Sequence, residues 1–254
     1  MIHERELGFR LRRFEQINDY VRRDEVFGSE RLAQEQARAK RVPEALEHLA
    51  TLRRTGDTTG FRLAIDGWAR TPGYNSFRSF GLMFLNQLVL HDGGSIPAEV
   101  LVDVLTVPDD DAGARRKLES LLAHVDMIKK GAQPAPKRVL FLTSLFWSMQ
   151  DDTRWPCLWA SAEDALVALG WLRAWSPSEE QRSQYYRDFR DAVVPLGPWN
   201  ETEIILFWFN DHRWAGLDPT LPERFLWASE LNATLDQSPT ADNRSAAEAL
   251  FSNP

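Results

Sequence analysis

Few side chains in this 254-residue sequence stand at spacings that catalysis or metal binding requires. The five histidines lie far apart, and none has a second histidine or a cysteine at metal-ligand spacing: His3, His48, His91, His124 and His212. The sequence also lacks a phosphate loop of the Gly-x-x-x-x-Gly-Lys-Ser/Thr type, a dinucleotide-binding Gly-x-Gly-x-x-Gly and a Gly-x-Ser-x-Gly elbow. We therefore expect no zinc site, no cofactor and no nucleotide hydrolysis by this chain.

Two acidic runs, Asp109 to Asp111 and Asp151-Asp152, are open to two interpretations. Adjacent carboxylates can ligate a metal, but directly before a helix they more often cap its free N–H groups and interact with its dipole. A two-metal nuclease also needs acids and a lysine held on strands, and the sequence predicts no strands. We assign no catalytic residue.

A basic stretch is the most informative charge pattern. Seven cations stand against Glu119 and Asp126, a balance of +5 inside a chain of net charge -7: Arg115, Arg116, Lys117, Lys129, Lys130, Lys137 and Arg138. The overall charge argues against indiscriminate binding to nucleic acid or anionic membranes, so any phosphate contact must be local. The stretch predicts a DNA contact, although cations at the end of a helix are also favoured by its dipole alone.

Tryptophan is unusually abundant, and nine of the ten lie between Trp147 and Trp227. Two segments combine an aromatic ring with polar neighbours that can read a base edge: Asp152, Arg154 and Trp155 in the first, and Asn210, Asp211, Arg213 and Trp214 in the second. A protein that extrudes a base needs flat walls for stacking and hydrogen-bonding groups beside them. Helical cores also use tryptophan, but we expect Trp155 and Trp214 in loops because one precedes Pro156 and the other follows a helix end.

The elements that must position these residues are all helical, because apolar residues recur with a period near 3.6 and alternating patterns are nearly absent. Four helix starts carry an oxygen side chain followed three residues later by a carboxylate, at Ser161, Ser176, Asn200 and Thr220. The stretch from Val139 to Met149 is apolar on nearly all sides and predicts a central buried helix. Helices are predicted near 4–23, 30–53 with an interruption at Pro43, 58–70, 75–90, 97–105, 112–130, 138–149, 161–173, 177–194, 201–212 and 221–235.

Three regions follow from this pattern. Residues 1–54 alternate basic and acidic side chains and predict a peripheral charged helical hairpin, residues 55–235 form a Trp-rich helical domain, and residues 236–254 read as a linker or frayed tail. The single cysteine, Cys157, has apolar neighbours that predict burial in a reducing compartment. No segment has the features of a signal peptide or the roughly 20 apolar residues of a membrane span, so we expect a soluble cytoplasmic protein.

Three segments carry a family resemblance: Phe77 to Leu88, Lys129 to Pro136, and Ser144 to Asp151 continued by Arg154-Trp155-Pro156. They resemble the amino-terminal region of McrB-like AAA+ ATPases of modification-dependent restriction systems, over roughly residues 58 to 175. The resemblance implies DNA recognition, often of a modified base, beside an AAA+ motor module and a separate nuclease subunit. The nucleotide-binding motifs are missing here, so the tail after Asp236 is interpreted as a linker to such a motor.

The leading hypothesis is a non-catalytic DNA-recognition module of a bacterial restriction or phage-defence system. The first alternative is a helical adaptor that docks a partner protein or assembles a ring, which the charge of -7 favours. The second is an enzyme whose catalytic pair is not recognisable from one sequence.

Overall fold

The computed structural model describes residues 4–70, 81–91, 95–129, 134–176 and 182–214, and every regular element in those ranges is helical. The all-α prediction is confirmed. A short 3-10 turn over Val194–Leu196 precedes the last described helix. The helices are α1 (Glu4–Arg23), α2 (Glu25–Thr55), α3 (Thr58–Ala69), α4 (Met83–Val89), α5 (Ala98–Leu105), α6 (Asp111–Ile128), α7 (Lys137–Gln150), α8 (Ala160–Ala168), α9 (Arg182–Val193) and α10 (Trp199–Trp214).

Helix α7 lies at the centre of the fold, as its sequence predicts. It packs against α2, α4, α5, α6 and α9, and its residues from Val139 to Trp147 are buried apart from Phe141. Its largest buried side chain is also hydrogen-bonded within the core, since the indole of Trp147 donates to the carbonyl of Val104 at 2.9 Å. Five helices therefore pack against one largely apolar central helix.

Helix α2 runs without interruption through Pro43, contrary to the prediction of a break there. A helix-internal proline removes one N–H and costs roughly 3 kcal/mol, so packing must offset that cost. The buried side chains of Ala45, Leu49 and Leu52 supply such packing, and Trp68 of α3 donates to the carbonyl of Arg41 at 3.0 Å. Tertiary contacts thus keep the helix continuous.

The α1–α2 hairpin is less peripheral than its charge pattern predicts. Phe14, Ile17 and Val21 of α1 belong to the same buried cluster as the core of α7. Tyr20 stacks on Trp208 of α10 with ring centroids 6.0 Å apart, and the Trp208 indole donates to Asp24 at 2.9 Å. The described part of the chain therefore shares one hydrophobic cluster across the predicted boundary at residue 54.

Two of the predicted reciprocal caps are absent because their helices begin earlier. Helix α8 starts at Ala160 with Trp159 in the capping position, and α10 starts at Trp199, which places Asn200 inside the helix. Helix α8 also ends at Ala168 rather than near residue 173, because Gly170 adopts a left-handed φ of 69°. The predicted caps at Ser176 with Glu179 and at Thr220, the start of the 75–90 helix, the 221–235 helix and the tail lie wholly or partly outside the described residues.

Candidate nucleic-acid interface

The loop from Asp151 to Trp159, which connects α7 to α8, lies between two clefts of opposite charge. Asp151, Asp152, Cys157 and Trp159 line one cleft, which we call the acidic cleft. Trp155 lines the other, the arginine cleft. The loop that the sequence analysis singled out therefore borders both candidate sites.

The acidic cleft has a volume of about 560 Å³ and lies between α2, α7 and α10. Its charged lining residues are Arg38 on one side and Asp151, Asp152 and Glu203 on the other, a balance of -2. Arg38 and Glu203 form a buried ion pair at 2.8 Å, with side chains 14% and 6% exposed. The excess of carboxylates disfavours a phosphate in this cleft.

Cys157 is the buried thiol of the acidic cleft. Burial raises its pKa well above the ordinary value, and the charge of Glu203 raises it further. The thiol is therefore protonated at neutral pH and lacks the thiolate character of a catalytic nucleophile.

The arginine cleft has a volume of about 300 Å³ and lies between α6, α9 and Trp155. Its charged lining residues are three arginines and one aspartate, a balance of +2: Arg115, Arg187, Arg190 and Asp111. Arg154 lies next to this cleft, with its guanidinium 5.6 Å from the ring centroid of Trp155. We call Arg115, Arg154, Arg187 and Arg190 the arginine group.

Asp111 is the anion that the arginine group already holds. Its two carboxylate oxygens accept from Arg190 at 2.5 and 2.9 Å, and Arg187 lies 3.9 Å away. The hydrogen bond from Arg190 lowers the pKa of Asp111, as do the charges of Arg190, Arg187 and Arg154, while partial burial opposes them. The local potential at this cleft therefore favours negative charge.

Trp155 is a core residue, which corrects its assignment as an exposed stacking wall. Its side chain is only 1% exposed, and its ring meets Trp147 edge-on at 5.7 Å. Arg190 covers it with a guanidinium 4.8 Å from the ring centroid. Pro156 does keep Trp155 outside a helix, but the loop turns this ring inward, leaving no open face on which a base could stack.

Three of the seven cations in the predicted basic stretch form ion pairs within the protein. Lys117 is buried, contrary to its assignment to a DNA-binding surface, and its ammonium contacts Asp103 Oδ1 at 2.7 Å. Lys137 lies 2.6 Å from the buried carboxylate of Glu163. Arg115 is 71% exposed and pairs with Glu119 at 2.7 Å. The surface therefore carries less positive charge in this region than the balance of +5 in the sequence predicts.

The remaining cations of that stretch lie at two ends of α6. Arg115 and Arg116 are exposed in its first half, whereas Lys129 is exposed at its C-terminal end. Fourteen residues of helix separate Arg115 from Lys129 by about 21 Å. Arg138 is half-buried at the start of α7, and Lys130 lies outside the described residues. The six candidates that the structure describes therefore do not form one patch.

The first predicted base pocket, Asp152 with Arg154 and Trp155, is not assembled in the structure. Asp152 is exposed and lines the acidic cleft, whereas Trp155 lines the arginine cleft. Asn210 is half-buried on α10, and that helix continues to Trp214, so Trp214 does not follow the helix end as predicted. The side chains of Asp211, Arg213 and Trp214 lie outside the described part of the structure, so their role stays a prediction.

Sequence reasoning missed Arg187 and Arg190, the two arginines that complete the group. Both stand on α9, more than 70 residues after Asp111. Their i, i+3 spacing places them on one face of that helix and is a signal that sequence analysis can detect. Only the packing of α9 against α6 shows that this face meets Asp111 and Arg115.

Within the described residues, no group of three or more histidine, cysteine, aspartate or glutamate side chains is placed to hold a metal ion. The same part of the chain contains no helix with the length and apolar character needed to cross a bilayer. Asp110 accepts from the N–H of Gly113 at 2.7 Å and so caps α6, as predicted for the acidic run before it. Comparisons with protein-family models, with curated proteins and with solved structures found no match to this chain.

Proposed function

We propose that this chain is a non-catalytic DNA-recognition module whose contact surface is the arginine group. The observation that carries the proposal is the convergence of four guanidiniums from α6, α9 and the loop after α7 around one small cleft. Arginine matches phosphate geometry with paired N–H donors and stays charged at all relevant pH values. The bacterial restriction or phage-defence setting, with an AAA+ motor and a nuclease as partners, rests on the resemblance to McrB-like proteins alone.

Three members of the group are exposed enough to contact a phosphate backbone, and of these Arg154 also donates to the carbonyl of Asp109. The side chains of Arg115, Arg154 and Arg187 are 71%, 56% and 58% exposed. Their ion pairs are at the surface, and such pairs contribute only about 0–1 kcal/mol each. Exchanging them for phosphate contacts therefore costs little, and release of condensed counterions from DNA favours the exchange.

The test is a salt series of DNA-binding curves with a charge-matched control. Wild type is compared with the triple variant Arg115→Gln, Arg154→Gln and Arg187→Gln. The control variant carries Arg22→Gln, Arg53→Gln and Arg54→Gln, which removes three exposed cations from α1 and α2. Arg190 is left intact because its pair with Asp111 joins α9 to α6.

We expect the triple variant to lower the slope of log affinity against log salt by about 2 to 3, since each phosphate contact contributes about 0.9. The control should keep the wild-type slope. Equal slopes for both variants would reject the arginine group as the DNA surface, and absence of binding to any duplex, unmodified or base-modified, would favour the adaptor hypothesis.

A further inference from the structure

The carboxylate of Asp111 and the guanidinium of Arg190 meet in the arginine cleft through two matched pairs of atoms. Oδ1 accepts from Nη1 at 2.5 Å and Oδ2 accepts from Nη2 at 2.9 Å, while Nε of Arg187 lies 3.9 Å from Oδ2. Arginine binds phosphate in the same way, with two N–H donors on two oxygens of one group. Asp111 therefore occupies the place that a phosphate takes in an arginine site.

This place can be reached from solvent. The side chain of Asp111 is 50% exposed, whereas that of Arg190 is 16% exposed. A group that replaces the carboxylate therefore approaches from water and meets the same two Nη donors that the carboxylate now uses. The guanidinium of Arg190 also lies 4.8 Å from the ring centroid of Trp155, which limits its movement when its partner changes.

The fold keeps other contacts when Asp111 turns away from Arg190. Helix α6 is capped by Asp110, which accepts from the N–H of Gly113 at 2.7 Å. A second ion pair joins α9 to α6, since Nη1 of Arg182 donates to the two oxygens of Asp126 at 2.9 and 2.8 Å. The carboxylate of Asp111 can therefore rotate into solvent while α6 stays capped and paired with α9.

We propose that Asp111 fills a phosphate site formed by Arg190 and Arg187, and that a backbone phosphate of bound DNA takes its place. The inference rests on the proposed function and adds Arg190 to the exposed arginines as a direct contact. An internal phosphodiester suits the site because it presents two free oxygens and one negative charge, as the carboxylate does. Asp111 is then an internal competitor that lowers the affinity of the protein for DNA.

The experiment compares Asp111→Ala with Asp191→Ala, which removes the same charge beside the same arginines. Asp191 lies 3.5 Å from Arg190 and 3.8 Å from Arg187, is also 50% exposed, and is not among the residues that line the cleft. Fluorescence anisotropy measures the affinity of each variant for one labelled duplex. Asp111→Ala should bind about tenfold more tightly than wild type, a gain comparable to one hydrogen bond to a charged group. Asp191→Ala should gain less than about threefold, the scale of an exposed ion pair.

A second measurement uses inorganic phosphate as the probe and needs no DNA. In Asp111→Ala the guanidinium of Arg190 has lost its bidentate partner, so phosphate should bind there and raise the melting temperature relative to chloride at equal ionic strength. Wild type and Asp191→Ala should show no such rise, because Asp111 still fills the site. If Asp111→Ala does not fold, Asp111→Asn replaces it in both measurements, since it removes the charge and keeps the shape of the side chain.

Equal gains in DNA affinity for the two aspartate variants would overturn the inference, because loss of charge alone would explain them, and would leave the proposed function intact. A melting temperature of Asp111→Ala that does not respond to phosphate would also overturn the inference alone. Failure of wild type and of every variant to bind the duplex would overturn both, whatever the effect of phosphate.

Discussion

The buried ion pair between Arg38 and Glu203 gives the sharpest test of how this fold is held together. Arg38 lies on α2 and Glu203 on α10, so the pair joins helices 165 residues apart in sequence. Both side chains are withdrawn from water, and the guanidinium also lies 5.5 Å from the ring centroid of Trp159. Removal of either partner leaves the other charge buried without its counter-ion.

The expected magnitude follows from that geometry. Breaking a buried pair by removing one partner costs about 3–5 kcal/mol, because the remaining charge keeps its desolvation penalty. We therefore expect Arg38→Met and Glu203→Leu each to lower the free energy of unfolding by roughly that amount. The double variant should be far closer to wild type, since no charge is then buried and the new side chains can pack.

Urea denaturation followed by far-UV circular dichroism measures the cycle, with the same spectrum checking helicity. The surface pair Arg70 and Asp66, at 2.7 Å with side chains 56% and 26% exposed, is the control cycle and should couple by less than about 1 kcal/mol. If Arg38→Met costs under about 1 kcal/mol, or if the double variant loses the sum of the two single losses, the pair does not act as a buried unit.

Three further predictions concern residues whose roles the structure reassigns. Trp155→Ala should lose about 3–5 kcal/mol of stability in thermal or chemical melts because the ring is 1% exposed. An unchanged melting temperature would contradict the assignment of Trp155 to the core. Lys137→Ala should destabilise the fold by about 1–3 kcal/mol, because the buried Glu163 then loses its counter-ion and keeps the hydrogen bond from Tyr185. Lys129→Ala, at an exposed helix end, should stay within about 0.5 kcal/mol, and equal losses would contradict this. Burial, together with the charge of His91, lowers the pKa of His124, so the unfolded chain binds more protons and stability should fall as pH drops through about 6.5. Denaturation curves at pH 7.5 and 5.5 should show a smaller drop in His124→Gln than in wild type, and an identical drop would reject the assignment.

The positions of the helices could be predicted from the sequence because they depend on local patterns of residues. The period of apolar residues identified α7 as the buried centre, and the turn-forming acids before α6 were correctly interpreted as caps. The caps predicted at Ser161 and Asn200 were wrong, although the starts of α8 and α10 were predicted to within two residues, because capping patterns compete with tertiary contacts. Glu203, which the pattern assigns to a capping box, instead turns inward to pair with Arg38.

Only part of the candidate site could be predicted from the sequence. Arg115, Arg154 and Trp155 were identified from the basic stretch and the polar-aromatic loop, but Arg187 and Arg190 were missed. Asp111 and Arg190 are 79 residues apart, and no local pattern reports that their helices pack side by side.

The sequence by itself determined that the chain is helical and where its apolar faces lie, because backbone hydrogen bonding and side-chain period are local properties. Only the tertiary structure decided which charges remain available to a ligand. Lys117 was interpreted as a surface cation from the sequence but is buried against Asp103, while Arg187, which the sequence did not single out, lines a cleft. The physical reason is that a charge's effect depends on its solvation and its neighbours, and long-range packing sets both.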